Sequence, residues 1–250
     1  MSRLSIYFQN VRGLRTKSAD LYLSASNHSP QHVVVSNITF DEIISALKSL
    51  KNKPTAGSDQ IPSYLIKDCR YALLRPLHIL FSLALFANTF PNTWKNTKIC
   101  PVLKTGNPSL ISNYRPISVL NNFAKIFEKT LYNCIHNQIK QFVSPQQHGF
   151  MDKRSTATNL SCFAQYVANV LDNQGQVDVI YTDFSKAFDK INHELLLQKL
   201  HAFGFSESLI LLFRSYLSNR KQYVTYNGFK SNNVTPCSGV PQGSNLGPLL

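Results

Sequence analysis

The 250-residue sequence contains few acidic residues for its size. Asp and Glu number 13 against 26 Lys and Arg, which gives a formal net charge of +13 and a pI near 9.6. Charged residues of both signs make up only 16% of the chain, whereas 43% is hydrophobic, which is enough to build a core. A basic chain favours a polyanionic partner, because neutralised phosphates supply most nucleic-acid affinity. An ordinary protein with a basic surface is the alternative.

Cysteine is too sparse and too widely spaced for a disulfide framework or a zinc site. There are five, and the two nearest, Cys134 and Cys162, lie 28 residues apart. No Cys-x-x-Cys pair occurs, so the usual structural zinc spacings are excluded. The odd number, with no secretory signal ahead of it, predicts reduced and buried cysteines in a nuclear or cytoplasmic protein.

Long apolar runs are also missing. The longest, residues 77–87, is interrupted by His78 and follows Arg75 and Pro76, and it is too short to cross a bilayer. We therefore expect no transmembrane helix, no cleavable targeting segment and no membrane partner.

Residue patterning predicts an α+β fold that is rich in helices. The clearest helix start is at Thr39, because Thr39 and Glu42 match a capping box. Asn227-Gly228 is a strong hairpin signal. We interpret residues 18–38 as a poorly ordered linker. Helices are predicted from residue 39, near 62–68, and over 76–88, 122–142, 157–171, 192–202 and 206–218; strands are predicted over 98–104, 114–120, 223–226 and 230–236.

The stretch 177–200 combines a strand pattern, an acid and a helix pattern. Its first residues, 177–181, are apolar, β-branched and aromatic, which predicts a buried strand. The strand is followed by Asp183 and then by apolar residues at helical spacing. Enzymes of the α/β class place metal-binding acids at such a junction. From this stretch alone, an ordinary junction with an exposed Asp183 is the alternative.

Five blocks of sequence, in order, resemble the reverse transcriptase domain of non-LTR retrotransposons of the jockey-like group. The resemblance implies a right-hand polymerase fold over residues 39–250, with fingers and a partial palm. It implies RNA-directed DNA synthesis from a DNA 3′ hydroxyl, so the partners would be an RNA template, a DNA primer and a dNTP. The blocks are KNKPTAGSDQIPSYLIKDC (51–69), ISNYRPISVLNNFAKIFEKTL (111–131), QQHGFMDKRSTATNL (146–160), YTDFSKAFDKINHELLLQKL (181–200) and SGVPQGSNLGPLL (238–250).

The resemblance assigns a metal site and a sugar gate to the fourth block. Asp183 would be a catalytic metal ligand, and the backbone carbonyl of Phe184 a second contact. The expected ion is Mg²⁺, which binds with few carboxylates plus substrate phosphates. Phe188 would lie under the sugar and exclude a 2′ hydroxyl, with an ordinary core Phe as the alternative. We expect structural roles for Asp189, as a helix cap or ion-pair partner, and for His193, in packing and hydrogen bonding.

The remaining nucleotide contacts fall in the second and fifth blocks. Arg115 would bind the triphosphate, since its planar guanidinium suits phosphate. Lys104 would assist, although a solvated basic rim explains it equally well. Gln242 and Gly243 would line the nucleotide pocket, where a glycine lets backbone approach the ligand closely. We expect Lys153 and Arg154 to follow template phosphates.

The chain departs from the family pattern at two places. No aromatic-Ala-Asp-Asp sequence, which in the family would supply the partner acids of Asp183, occurs in the 250 residues, and we expect no thumb in this chain. We therefore expect no polymerase activity from this chain alone. Residues 6–17 resemble the first strand of the element's endonuclease, with Asn10 at a metal-holding position, and we interpret 1–17 as its remnant. The alternatives are a non-catalytic nucleic-acid binder and a decayed transposon fragment.

Overall fold

The computed structural model describes residues 32–250, so the predicted remnant at 1–17 and most of the predicted linker at 18–38 lie outside it. The architecture is mixed α+β, with about 45% helix and a four-stranded sheet. The chain divides into two compact units. The described part of the larger unit comprises residues 32–141 and 188–250, and the smaller comprises 142–187. The prediction of one domain over 39–250 stays a prediction.

The helices and strands follow the predicted order closely. The helices are α1 Phe40–Ser49, α2 Ser63–Asp68, α3 Arg70–Phe86, α4 Asn122–Ile139, α5 Thr156–Asp172, α6 His193–Ala202 and α7 Glu207–Leu217. The strands are β1 Asn96–Leu103, β2 Tyr114–Val119, β3 Lys221–Tyr226 and β4 Phe229–Lys230. Of these helices and strands, α5 lies in the smaller unit and the others lie in the larger unit.

Helix α1 starts where the sequence predicts, because its capping box forms. The Glu42 backbone N–H donates to Thr39 Oγ1 at 3.3 Å, and the Thr39 N–H donates to Glu42 Oε2 at 2.7 Å. Two backbone donors at the helix start are thereby satisfied by side chains. Ile43 and Leu47, one turn apart, are fully buried and anchor the helix in the core.

Helix α3 begins at Arg70, six residues before the start predicted at Pro76. Helix α2 runs almost directly into α3 through Cys69, whose N–H donates to Leu65 O at 3.0 Å. Pro76 then falls inside α3. It removes one helical N–H, but it lies on the exposed face, where water can satisfy the carbonyl left without that donor.

The sheet has the strand order β2-β1-β3-β4. Strands β1 and β2 form the predicted antiparallel hairpin, paired from Lys98–Val119 to Leu103–Tyr114. Strand β3 joins β1 in parallel and turns into β4 at Asn227-Gly228, where both residues have positive φ as a type I′ turn requires. Strand β2 is therefore an edge strand. Strand β4 is shorter than the predicted 230–236.

Aromatic rings fill the centre of the larger unit. Phe81 of α3 packs against Phe127 of α4 with ring centroids 4.8 Å apart, and Phe90 meets Tyr216 of α7 edge-on at 5.0 Å. Trp94 closes the cluster against Phe90 at 5.7 Å. Each such pair adds about 0.5–1.5 kcal/mol beyond area burial. The cluster thus joins α3, α4 and α7 in one core.

The smaller unit contains α5, which begins with a second capping box formed by Ser155 and Thr158. Before it, Arg154 Nη1 donates to the carbonyls of Pro145 at 2.6 Å and Gln147 at 2.5 Å. Arg154 therefore holds its own loop together, a role that the sequence pattern does not indicate. Contact of Lys153 or Arg154 with template phosphates stays a prediction.

The predicted buried strand at 177–181 does not form. The segment has no strand pairing, and Ile180 and Tyr181 are 54% and 63% exposed. A strand is stabilised by hydrogen bonds and side-chain packing against a neighbouring strand. A high β-propensity is therefore not enough to form a strand in an isolated extended segment. None of the four strands in the part of the chain that the structure describes pairs with these residues.

Candidate functional site

Residues 238–247, hereafter the 238–247 loop, contain two of the predicted nucleotide contacts. The loop runs beside the segment that precedes α6. The Gly239 N–H donates to Ile191 O and the Val240 N–H to Phe188 O, both at 2.8 Å. These bonds bring the predicted sugar gate, Phe188, to the loop that carries Gln242 and Gly243.

Gly239 and His193 fasten the start of this loop. Gly239 has φ +84, and a Cβ there would lie 2.6 Å from Phe188 O and 2.8 Å from Asp189 O. No other residue fits so close an approach. His193 Nε2 lies 2.7 Å from Gly239 O, so the expected hydrogen-bonding role of His193 at the helix start is confirmed.

Asp189 does not cap the following helix, so that part of the expectation is wrong. The cap is Asn192, whose Oδ1 accepts from the Leu195 N–H at 3.0 Å. Asp189 lies three residues earlier, and its side chain is exposed. Its backbone carbonyl instead accepts a bond from Ser238 Oγ at 2.8 Å, which adds a further tie to the loop.

The middle of the loop lies on the free edge of β2. The Ser118 N–H donates to Gln242 O at 2.9 Å. Gly243 has φ +109, and a Cβ there would lie 3.2 Å from Ser118 O and 3.9 Å from Ile117 Cγ2. Gln242 and Gly243 are therefore held against the strand that carries Arg115, and the positive φ of Gly243 favours glycine.

Arg115 lies on the same strand face as Ile117, two residues away. Its side chain is half-buried, and its Cα pairs with that of Val102 across the hairpin. Lys104 follows the end of β1 and is exposed, and its N–H donates to Asn113 O at 2.8 Å. The structure thus places Gln242 and Gly243 beside Ser118, three residues along the strand from Arg115, with Lys104 nearer the hairpin tip.

The Phe188 ring is half-buried and packs against the core of the larger unit. Its Cε1 lies 3.5 Å from where a Cβ on Gly247 would be. Phe188 therefore touches both ends of the 238–247 loop, through its carbonyl at Val240 and through its ring at Gly247. A core residue is consistent with this packing, and the sugar gate stays a prediction.

Asp183 and Phe184 lie in the smaller unit, in the irregular segment that follows residues 177–181. Asp183 is exposed and Phe184 is half-buried. Within residues 32–250, no group of three His, Cys, Asp or Glu side chains comes together. A hard divalent cation at Asp183 would need further oxygen ligands.

Glu128 is a site residue that sequence reasoning missed. It is fully buried on α4, and its Oε2 accepts from the Asn245 N–H at 2.8 Å. Asn245 Nδ2 in turn donates to Lys125 O at 2.9 Å. A signal was available, because Glu128 lies on the inward stripe of α4 with Ala124 and Leu131. A charged residue on such a stripe must have a partner.

Burial sets the electrostatics around Glu128. Desolvation raises the pKa of Glu128 above its ordinary value, opposed by the positive charge of Arg220 and the Asn245 amide. Arg220 is itself buried and donates to Tyr216 O at 3.1 Å and Thr97 Oγ1 at 3.2 Å. These groups form a buried polar cluster beneath the end of the 238–247 loop.

Comparison with known proteins identifies the class to which this fold and loop belong. Residues 102–250, more than half of the chain, match the family model described as "Reverse transcriptase (RNA-dependent DNA polymerase)". The chain belongs to this family. The match includes β2, α4 and the 238–247 loop, so the elements that build the candidate site lie within it.

Within the family, the chain is similar to proteins of jockey-like mobile elements, and the resemblance seen in the sequence is confirmed. It is 29% identical over 219 residues to the "RNA-directed DNA polymerase from mobile element jockey" of Drosophila melanogaster, covering 86% of this chain and 24% of that protein. It is 28% identical over 216 residues (85% and 24%) to the "Probable RNA-directed DNA polymerase from transposon BS" of the same species. It is also 28% identical over 218 residues (86% and 21%) to the "Retrovirus-related Pol polyprotein from type-1 retrotransposable element R1" of Bradysia coprophila. The chain thus spans about a quarter of the length of these curated relatives.

Proposed function

We propose that the chain is the fingers and part of the palm of an RNA-directed DNA polymerase of right-hand architecture. Its substrate class is the deoxynucleoside triphosphate, and its partners are an RNA template and a DNA primer inside the cell. Membership of the reverse transcriptase family supports this proposal, as does the similarity to polymerases of mobile elements. The net charge of +13 suits a nucleic-acid partner.

The observation that carries the proposal is the bond between the Ser118 N–H and Gln242 O. It lays the 238–247 loop along the strand that carries Arg115, which supports a nucleotide site built from both elements. In the proposed site Arg115 binds the triphosphate by paired hydrogen bonds. The Gln242 side-chain amide contacts the sugar region, and Gly243 keeps the strand edge accessible to the ligand.

Divalent metal dependence is general in the reverse transcriptase family, and Mg²⁺ is our proposal for this chain. Asp183 would be one ligand, with the carbonyl of Phe184 beside it. Because the described residues provide no further converging acids, we assign no chemical step to the ion. We infer that the chain alone binds nucleotide but does not polymerise it, since two-metal chemistry needs several carboxylates.

Nucleotide titration tests the pocket. Arg115→Ala should weaken dATP binding at least about tenfold, the value of a charge-assisted hydrogen bond. Arg75→Ala is the matched control, since Arg75 is an exposed arginine on α3. Equal affinities of the two variants would contradict the proposed triphosphate contact.

Primer extension tests catalytic incompleteness. The purified chain, given an RNA template, a DNA primer, dNTPs and Mg²⁺, should extend no primer. Synthesis that disappears in Asp183→Asn would show that the chain assembles a working site, and our inference would be wrong.

A second candidate function, nucleic-acid binding without catalysis, is favoured by the same positive charge. The two candidate functions predict different results in the dATP titration. A pure binder would retain RNA at low salt but show no dATP affinity that depends on Arg115.

A further inference from the structure

Glu128 is a buried carboxylate on the inward face of α4. Burying a carboxylate is expensive, and the positive charge of the buried Arg220 offsets part of that cost. A buried charge pair is weak evidence for a stabilising role. The hydrogen bond that Glu128 makes outside this pair points to a further role.

The contacts of Glu128 lead directly to the 238–247 loop. Its Oε2 accepts the Asn245 N–H at 2.8 Å, and Asn245 Nδ2 reaches Lys125 O, one turn earlier on α4. On the other side of Gly243, Gln242 O is bound by the Ser118 N–H. The Gln242-Gly243 pair is thus suspended between two attachments, one on β2 and one on α4.

We propose that Glu128 is a positioning residue that holds the 238–247 loop, and through it Gln242 and Gly243, in the geometry of the nucleotide pocket. The inference rests on the proposed function for the pocket itself. The new inference is that a buried acid on helix α4 determines the shape of this pocket. Without the Glu128 acceptor, the Asn245 N–H loses its partner, and of the two bonds between the loop and α4 the one from Asn245 Nδ2 to Lys125 O remains.

The experiment compares Glu128→Gln with Glu128→Met. The glutamine keeps a carbonyl acceptor for the Asn245 N–H without the charge, whereas methionine keeps the length and removes the acceptor. Glu42→Met is the matched control, because it removes a glutamate that caps α1 and whose hydrogen bonds are to Thr39 and Cys134. Amide hydrogen exchange at Asn245, dATP affinity and urea stability are measured on all four proteins, the wild type included.

For Glu128→Met we expect about tenfold faster exchange at Asn245 and about tenfold weaker dATP binding, together with lower stability, because Arg220 stays buried without the carboxylate. Glu128→Gln should restore both to within about threefold of wild type, because the acceptor remains. Glu42→Met should lower stability and leave Asn245 exchange unchanged. If Glu128→Met exchanges like wild type, or if Glu128→Gln is impaired as much as Glu128→Met, the positioning role is overturned.

Two other results of the experiment can be distinguished from failure of the positioning role. If the wild type does not bind dATP, the proposed pocket fails, and the exchange rates still decide whether Glu128 fastens the loop. If Glu128→Met does not fold, Asn245→Ala takes its place, since it keeps the backbone N–H bond to Glu128 and removes the side-chain bond to Lys125. Exchange at residue 245 should then stay within about threefold of wild type, and exchange about tenfold faster than wild type would overturn the positioning role of Glu128.

Discussion

Two glycines of the larger unit share a left-handed backbone but differ in their surroundings. Gly239 has φ +84 and Gly228 has φ +82. A Cβ on Gly239 would collide with Phe188 O at 2.6 Å, whereas a Cβ on Gly228 would meet nothing within 4 Å. Substituting each glycine by alanine therefore separates two destabilising effects. At Gly228 the substitution adds only backbone strain, whereas at Gly239 it adds the steric clash as well.

We expect Gly228→Ala to lower the free energy of unfolding by about 1 kcal/mol, the cost of a left-handed conformation for an L-residue. Gly239→Ala should cost about 2–4 kcal/mol, because overpacking adds to the same strain. Urea denaturation of both variants measures the difference. Equal costs would show that the start of the 238–247 loop can shift freely.

The buried carboxyl of Glu128 predicts a pH dependence of stability. Burial raises the pKa of Glu128 above its ordinary value of 4.5, while Arg220 and Lys125 supply positive charge and the Tyr216 hydroxyl is buried nearby. The folded state thus holds the proton more tightly than the unfolded state. Stability contributed by this group is present below pH 4.5 and is lost as the pH rises through the raised pKa.

Glu128→Gln removes that titration. The stability of the variant relative to wild type should therefore increase as the pH rises from about 4.5 towards neutrality and then level off. Urea midpoints of both proteins at several pH values measure the trend. A difference that is constant across this range would mean that the carboxyl titrates as it does in the unfolded chain.

At the scale of single elements, helices with local signals are well predicted. The capping box at Thr39 and the Asn227-Gly228 turn both form where the sequence places them. These signals work because their donors and acceptors lie within a few residues. The strand at 177–181 was mispredicted because a strand depends on a partner that is remote in sequence. The early start of α3 was missed because Pro76 is tolerated on its exposed face.

The capping box of α1 gives a prediction at this scale. Thr39→Ala should lower the free energy of unfolding by about 1 kcal/mol, since the Glu42 N–H loses its side-chain acceptor. Thr39→Ser keeps the hydroxyl and should cost much less. Chemical denaturation of the two variants makes the comparison, and equal stabilities would show that water replaces the cap without penalty.

For the whole molecule, charge is the dominant property. The net charge of +13 is spread over a chain with only 13 acidic residues. In the part that the structure describes, no helix is both long and apolar enough to span a membrane. The excess of Lys and Arg over Asp and Glu favours a polyanionic partner.

RNA binding by the chain should weaken steeply with salt, with a slope of about −0.7 in log–log terms for each phosphate contacted on a single strand. Lys104→Ala should reduce the slope by about one such contact if the hairpin rim touches RNA. Lys48→Ala, at an exposed lysine on α1, is the control. Identical slopes for both variants would place the RNA away from Lys104.

By itself, the sequence determined the family, the order of the elements and the identity of Arg115, Gln242 and Gly243 as candidate contacts. Sequence motifs were sufficient for these predictions, because a motif is defined by residue types at short spacings along the chain. Only the tertiary structure decided that the 238–247 loop lies on β2 and that Glu128 of α4 fastens it, through bonds between residues more than a hundred positions apart. The effect of a buried charge depends on the polar groups around it, and the packing of the folded chain decides which groups those are.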